Sequence, residues 1–236
     1  MNRREWNQCA GEFETDICDI TLDETNNQLR RFVDAAKLPP NSVLVDLGCG
    51  IGSFIEKFGD RFCNIVGVEY AAQIIARAKQ RCAGRREITW LTMDISSAPK
   101  RIGSCADMTV CLNVITSPSR AKRNSLWACL AEVTKPKGYA LIVVPSLESN
   151  EMVAERERDS GRAGATPSSD GLVKREDSWQ KHFGRGELAA TLAELGFAVR
   201  RIGRVHYPWS TEGFTRSRSD NRRPWDWICL AQRVTA

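Results

Sequence analysis

Histidine is nearly absent from this chain of 236 residues, which carries only His182 and His206. These are the only side chains ready to take a proton near neutrality without a large perturbation. They are therefore the candidate catalytic bases, set against the common case in which a lone histidine is structural. The nine cysteines are odd in number and no two have CxxC spacing, so neither a metal knuckle nor a thioredoxin-like site is expected. Cys63, Cys111 and Cys229 fall in or beside apolar stretches, where a free thiol behaves as a small hydrophobe. No apolar run approaches the roughly 20 residues of a membrane span. The opening MNRREWNQCAGEFETD is too polar and acidic for a secretory leader. These absences give the expectation of a cytoplasmic protein with reduced thiols, no metal and no membrane contact.

Charge is modest too. The formal excess is +5, and seven arginines lie between Arg200 and Arg223, at 200, 201, 204, 216, 218, 222 and 223, against Glu212 and Asp220. Such a block suits an anionic substrate or a nucleic acid, and equally a solvated face.

What is present is a regular alternation. Apolar β-branched runs at 43–47, 64–69, 88–92, 106–112 and 139–144 read as strands. Between them, SFIEKFGDRF, AAQIIARAKQRC and SRAKRNSLWACLAEVT have helical spacing. Strands alternating with helices imply βαβ units and a parallel, doubly wound sheet covered on both faces. Before this core, LDETNNQLRRFVDAAKLPP reads as one capped amphipathic helix stopped by Pro39-Pro40. After it, residues 149–180 are charged or small and polar, a helix followed by a mobile loop. RGELAATLAELGF then gives a helix, and FAVRRIGRVHY and WDWICLAQRV two last strands. With no repeat and no second core, the expected organisation is a single domain, 1–236. It divides into an N-terminal helical lid (1–40), a core (41–148), an inserted helix and loop (149–180), and a C-terminal helix with two strands (181–236).

The sharpest signal is VDLGCGIGSF at 45–54. A glycine turn between a strand and a helix is a ligand cradle in several folds. Here Gly48, Gly50 and Gly52 alternate with single residues, and Ser53 stands where a fourth small residue would extend the run. The dinucleotide fingerprint G-x-G-x-x-G has a different last spacing. VDLGCGIGSF resembles the first motif of the class I S-adenosylmethionine-dependent methyltransferases nearly residue for residue. The resemblance runs well from Leu38 to Val144 and more loosely to Trp227.

That resemblance implies an α/β fold: a doubly wound, mostly parallel seven-stranded sheet with helices on both faces and the last strand antiparallel. It implies S-adenosyl-L-methionine as cofactor. Gly48, Cys49 and Gly50 would press backbone against its methionine part, and Asp46 would orient the loop and reach the ammonium. Glu69, ending the second strand, would accept from the ribose hydroxyls, with Tyr70 on the adenine. Asp94 would accept from the adenine amine and Ile95 donate its amide, unless Asp94 instead caps a local helix. Asn113 stands at the carboxyl end of the fourth strand, where open α/β sheets bind ligands.

The acceptor is less legible. Asn113-Val-Ile-Thr is not the Asn/Asp-Pro-Pro-aromatic motif of exocyclic base methylation. Cys111 lacks the Pro-Cys setting of cytosine enzymes, and no paired Asp/Asn-Asp motif resembles the metal-dependent catechol enzymes. The expected activity is methyl transfer to O or N of a small molecule, anionic or aromatic. The alternatives are an RNA or protein methyltransferase using the 200–223 block, or a cofactor-binding partner protein without turnover. Trp6, Phe13, the insert and HYPWSTEGF (206–214) are the candidate walls of the acceptor pocket, with Trp209 as readily a core residue.

Overall fold

The computed structural model describes residues 3–13, 17–85, 88–175, 178–214 and 222–234. Arg216, Arg218 and Asp220 of the arginine-rich run lie outside them.

The alternating pattern folds as expected. Strands β1 (Val43–Leu47), β2 (Asn64–Glu69), β3 (Ile88–Thr92), β4 (Ala106–Leu112), β5 (Thr134–Pro145), β8 (Phe197–His206) and β9 (Trp225–Arg233) form one sheet, ordered β3-β2-β1-β4-β5-β9-β8. Strands β1 to β5 pair in parallel, while β9 runs antiparallel to both β5 and β8. The strand order reverses between β1 and β4, so a crevice opens at their carboxyl ends.

Two apolar layers cover the sheet, as near-continuous hydrophobic strands require. Leu44, Met108, Leu141, Val143, Ile228 and Leu230 face one layer, with Phe32 of the helix Gln28–Ala35 and Phe54 and Phe58 of the helix Ser53–Phe58. Val45, Leu47, Ile142, Val144, Trp227 and Cys229 face the other, against the helices Arg120–Val133 and Arg185–Glu194. Residues two apart share a face. Asp46 therefore shares the first face with Leu44, and Asp226 shares it with Ile228.

Three segments differ from the sequence reading. The N-terminal helix is shorter, Gln28–Ala35, and a separate turn of helix covers Ile20–Asp23. The break comes from tertiary contact: the Thr25 amide donates to the His206 carbonyl at 2.8 Å and Asn26 Nδ2 to the Arg204 carbonyl at 3.0 Å. Asn27 then starts the helix from a left-handed φ of 53°. Strand β5 begins at Thr134 rather than Tyr139, with a bulge in its pairing to β4. The stretch 149–180 is a helix, Leu147–Asp159, capped by Ser146, followed by a two-stranded ribbon of β6 (Leu172–Arg175) and β7 (Ser178–Lys181). Polar composition concealed this ribbon because few of its side chains are buried. Its anchors are polar, such as Arg175 to Asn150 Oδ1 at 2.7 Å and the Lys181 amide to the Thr116 carbonyl at 2.8 Å.

Candidate active site

From Leu47 the chain turns through Gly48, Cys49, Gly50, Ile51 and Gly52 into the helix Ser53–Phe58. Gly48, Gly50 and Gly52 have φ of 76°, 51° and 82°, where a side chain costs roughly 1–2 kcal/mol. A Cβ on Gly48 would also come within 2.4 Å of Val114 Cγ2, and one on Gly52 within 3.2 Å of Ala78 Cβ and Cys82 Sγ. Gly52 thus lets the helix Ala72–Arg81 pack close to the loop. Ser53 has another task, since its hydroxyl donates to Asp19 Oδ2 at 2.6 Å and ties the N-terminal segment to the helix start. The amides of Gly48 and Cys49 both donate to the Val68 carbonyl, at 2.8 and 3.0 Å, and hold the loop against β2.

Carboxylates gather around this loop. Asp46 is 2% exposed, and its Oδ2 is buried without a hydrogen-bond partner. Burial first, then the charges of Asp19 and Glu69, push its carboxyl up to about 8. Glu69 is 8% exposed; its Oε1 accepts the amides of Tyr70 at 2.8 Å and Ala71 at 3.0 Å. Burial raises its proton affinity against those bonds and one from the Gly50 amide. The Cys49 thiol, also buried, is pushed well up by burial and by the charges of Asp46 and Glu69. Among the described residues no lysine or arginine pairs with Asp46 or Glu69.

Tyr70 and Asp94 share the next rim. Burial, then the charges of Glu69 and Asp94, push the Tyr70 hydroxyl up to about 12. Asp94 Oδ1 accepts both the amide of Ser96 at 2.9 Å and its hydroxyl at 2.7 Å, so Asp94 caps the turn Ile95–Ser97. Partial burial opposes ionisation there, but the Ser96 bonds and the charges of Lys122 and Arg3 outweigh it and lower the pKa. Ile95 is half-buried in the second apolar layer, and its carbonyl accepts Cys129 Sγ. Over this rim lies the N-terminal segment. Phe13 Cζ stands 3.3 Å from where a Gly50 Cβ would be, Trp6 and Phe13 pack with Ile51 and Ile74, and Asn7 Oδ1 accepts the Gln73 amide.

Beyond β4, Asn113 adopts a left-handed φ of 54°, a strained choice for a residue with a side chain. Its Nδ2 donates to Asp226 Oδ2 at 2.7 Å, while its Oδ1 is buried without a partner. Asp226 is 4% exposed, and burial raises it to about 7 despite the Asn113 bond. Cys18 and the buried Tyr207 lie close enough to Asp226 for its charge to raise both, after burial. The fold therefore brings Asp46, Gly48, Cys49, Gly50, Glu69, Tyr70, Asp94 and Asn113 to the carboxyl ends of β1 to β4.

It does not bring the histidines there. His206 ends the edge strand β8, four places from β1, roughly 20 Å at the usual strand spacing. His182 precedes the helix Arg185–Glu194, its Nδ1 lying 3.3 Å from the Ser146 carbonyl. Burial above all, with Arg175 and Lys181 nearby, pushes its ring down to about 4. Trp209 is a packed residue, its Nε1 donating to the Arg222 carbonyl at 2.8 Å and its ring against Phe214. Sequence reasoning missed Asp19 and Asp226. The second left a signal: an acid inside the apolar run WDWICLA.

Residues 44–138 match a family model described as a methyltransferase domain. A search of curated proteins found no match. Several solved structures share the fold. The Burkholderia thailandensis 1,6-didemethyltoxoflavin-N1-methyltransferase aligns with a TM-score of 0.68 at 15% identity, over 99% of this chain and 87% of its own. The magnesium protoporphyrin IX methyltransferase of Synechocystis, with bound S-adenosylhomocysteine, aligns at 0.60 and 15% over 88% and 80%. A methyltransferase of Methanosarcina mazei that depends on S-adenosylmethionine aligns at 0.61 and 15% over 90% and 100%.

Proposed function

We propose that this protein is a class I S-adenosylmethionine-dependent methyltransferase that passes the cofactor's methyl group to oxygen or nitrogen of a small molecule; its residues 44–138 match a methyltransferase domain. The observation that carries the reading is the buried, unpartnered Oδ2 of Asp46 at the foot of a glycine-rich loop. A buried carboxylate oxygen with no donor calls for a cationic or hydrogen-bonding ligand. The ammonium of an amino-acid moiety supplies both.

The residues fit that cofactor. Gly48, Cys49 and Gly50 offer bare backbone to its methionine part, with Asp46 for the ammonium. Glu69 and Tyr70 meet the nucleoside, and Asp94 and Ile95 stand at the adenine end. When bound, the cofactor supplies an electrophilic methyl on a positively charged sulfur, so the protein needs chiefly to align the acceptor and exclude water. Phe13 and Trp6, packed over the loop, serve as the lid, which favours a small acceptor over a polymer. Two of the structural neighbours are described as acting on small molecules, 1,6-didemethyltoxoflavin and magnesium protoporphyrin IX.

An acceptor that must lose a proton needs a base within hydrogen-bond reach. We assign that role to Asp226, held by Asn113 on the same sheet face as Asp46, with a proton affinity near neutrality. His182 and His206 are the bases that the sequence suggests; burial makes the His182 ring a weak base, and His206 stands at the sheet's far edge. Asn113 offers its free Oδ1 to an acceptor N–H or O–H. We also assign the protein to the cytoplasm, on nine cysteines that are all unpaired; no helix among the described residues is long and apolar enough to cross a membrane.

The test is transfer from a cofactor carrying a labelled methyl group into fractionated cell extract. Label in the small-molecule fraction is expected. Label in RNA or protein would support the polymer reading, and cofactor binding with no label anywhere would support a partner protein without turnover.

A further inference from the structure

On the opposite face of β9 from Asp226, a cleft of about 580 Å³ is lined by Arg204, His206, Arg222, Arg223, Trp225 and Asn26, among others. Cross-strand partners share a face, and His206 pairs with Trp225 while Arg204 pairs with Trp227. Arg204 is held in place: its guanidinium lies 4.5 Å from the centre of the Trp225 ring and 5.7 Å from that of Trp227. Stacking of this kind fixes a guanidinium before any ligand arrives. Thr25 and Asn26 pin the rim through hydrogen bonds to the carbonyls of His206 and Arg204.

The charges in this cleft are not balanced. Arg222 has Glu155 at 3.3 Å, a pair in which both side chains are more than half exposed. Among the described residues, Arg204 and Arg223 have no carboxylate partner. Trp225 is 9% exposed and its indole N–H is buried without an acceptor. Cations gathered without counter-charge, beside a donor without an acceptor, are complementary to one kind of group.

We propose that this cleft binds a small oxyanion-bearing molecule of the phosphate class, held by Arg204 and Arg223 with His206 on its wall. The site is concave and walled by aromatic rings, which suits a compact anion rather than an extended polynucleotide. The reading does not depend on methyl transfer. It also gives His206 a task. Burial first, then the charges of Arg204 and Arg223, lower its proton affinity, against hydrogen bonds to the Arg223 and Pro224 carbonyls. Arg222, paired with Glu155, is the remaining charged group lining the cleft. An anion neutralising the two arginines raises the affinity of His206 for a proton, so binding strengthens as pH falls.

Calorimetry and histidine NMR with inorganic pyrophosphate as the probe test this. Expected is saturable one-site binding that weakens about tenfold or more, the usual loss for one charge-assisted contact, in Arg223→Gln and in Arg204→Gln. Arg120→Gln, in a separate groove, leaves it unchanged. The His206 ring signal should titrate at higher pH with pyrophosphate than without. Arg223→Gln keeps the test valid if Arg204→Gln disturbs the tryptophans. Absence of saturable binding, binding in both cleft variants as tight as in the native chain, or an unmoved His206 titration overturns the proposal. So does a single-stranded RNA oligonucleotide that binds far more tightly than pyrophosphate, with a salt dependence of several phosphates.

Discussion

Asp46→Asn separates the roles of this carboxylate. Each tenfold change in proton affinity is worth about 1.4 kcal/mol. Moving Asp46 from the usual 3.8 to about 8 makes its ionised form an upper limit of about 6 kcal/mol costlier in the fold than in the unfolded chain. For an acid raised on folding, this stability is present below pH 3.8 and is lost as pH rises towards 8. At pH 7 the raised pKa keeps most of the ligand-free protein protonated on Asp46. An ammonium arriving at Oδ2 stabilises the ionised form, so binding expels that proton. S-adenosylhomocysteine carries the ammonium without the sulfonium charge and isolates the effect. Titration calorimetry in buffers of different ionisation enthalpy counts the protons released. We expect close to one proton at pH 7 for the native chain, falling by nearly that amount in Asp46→Asn, whose affinity should drop about tenfold or more. Asp46→Asn should also remove much of the loss of thermal stability between pH 5 and pH 8 in the ligand-free protein. Equal proton release in both proteins would refute the contact between Asp46 and the ammonium.

Glu69→Ala should weaken cofactor binding by about 1.5–3 kcal/mol, the range for hydrogen bonds to a charged group; direct affinity measurement checks it, and an unchanged value would place the ribose elsewhere. Gly50→Val should abolish binding of S-adenosylmethionine in calorimetry, because its φ of 51° disfavours any side chain and its Cβ would press on Phe13; NAD binding by the native chain would overturn the cofactor reading. Asp226→Asn should leave cofactor affinity intact while slowing methylation of a protonated acceptor. The native rate should rise with pH through about 7, where Asp226 loses its proton, and a profile unchanged by the substitution would exclude it as the base.

The sheet was legible because its strands are short runs of β-branched residues between glycines and polar turns. The boundaries of β1 to β4 follow from composition alone. The glycine loop was legible for the same reason, since its glycines answer local backbone demands. The rest depends on contacts between distant parts of the chain. Thr25 and Asn26 leave the helical pattern only because the end of β8 offers carbonyls about 180 residues later. Asp19 is an ordinary acid until Ser53, 34 positions on, donates to it. The ribbon β6–β7 pairs polar side chains mostly facing solvent, so no hydrophobic period announces it. Asp94 shows the converse: the sequence left ligand contact and helix cap both open, and the structure places it as the cap of Ile95–Ser97 with Tyr70 beside it.

Charge is where the sequence pointed furthest from the geometry. A formal excess of +5 with an arginine-rich stretch suggested an anionic acceptor. Along β9, however, one step in the chain turns a side chain to the other face. Asp226 joins Asp46, Asp19 and Glu69 on the side of the glycine loop, while Trp225 turns towards Arg204 and Arg223. Among the described residues, none of those four acids has a lysine or arginine partner. Burial favours the protonated forms of Asp46 and Asp226, so this side of the sheet presents unpaired acids of reduced charge and no cation, although the molecule as a whole is positive. A carboxylate or phosphate approaching Asn113 would meet Asp226 and lose affinity, whereas a neutral or cationic nitrogen or a neutral hydroxyl would gain a partner in Asn113 Oδ1. Of the arginines in the basic stretch, Arg204, Arg222 and Arg223 line the cleft on the other face of β9, so their charge says little about the methyl acceptor.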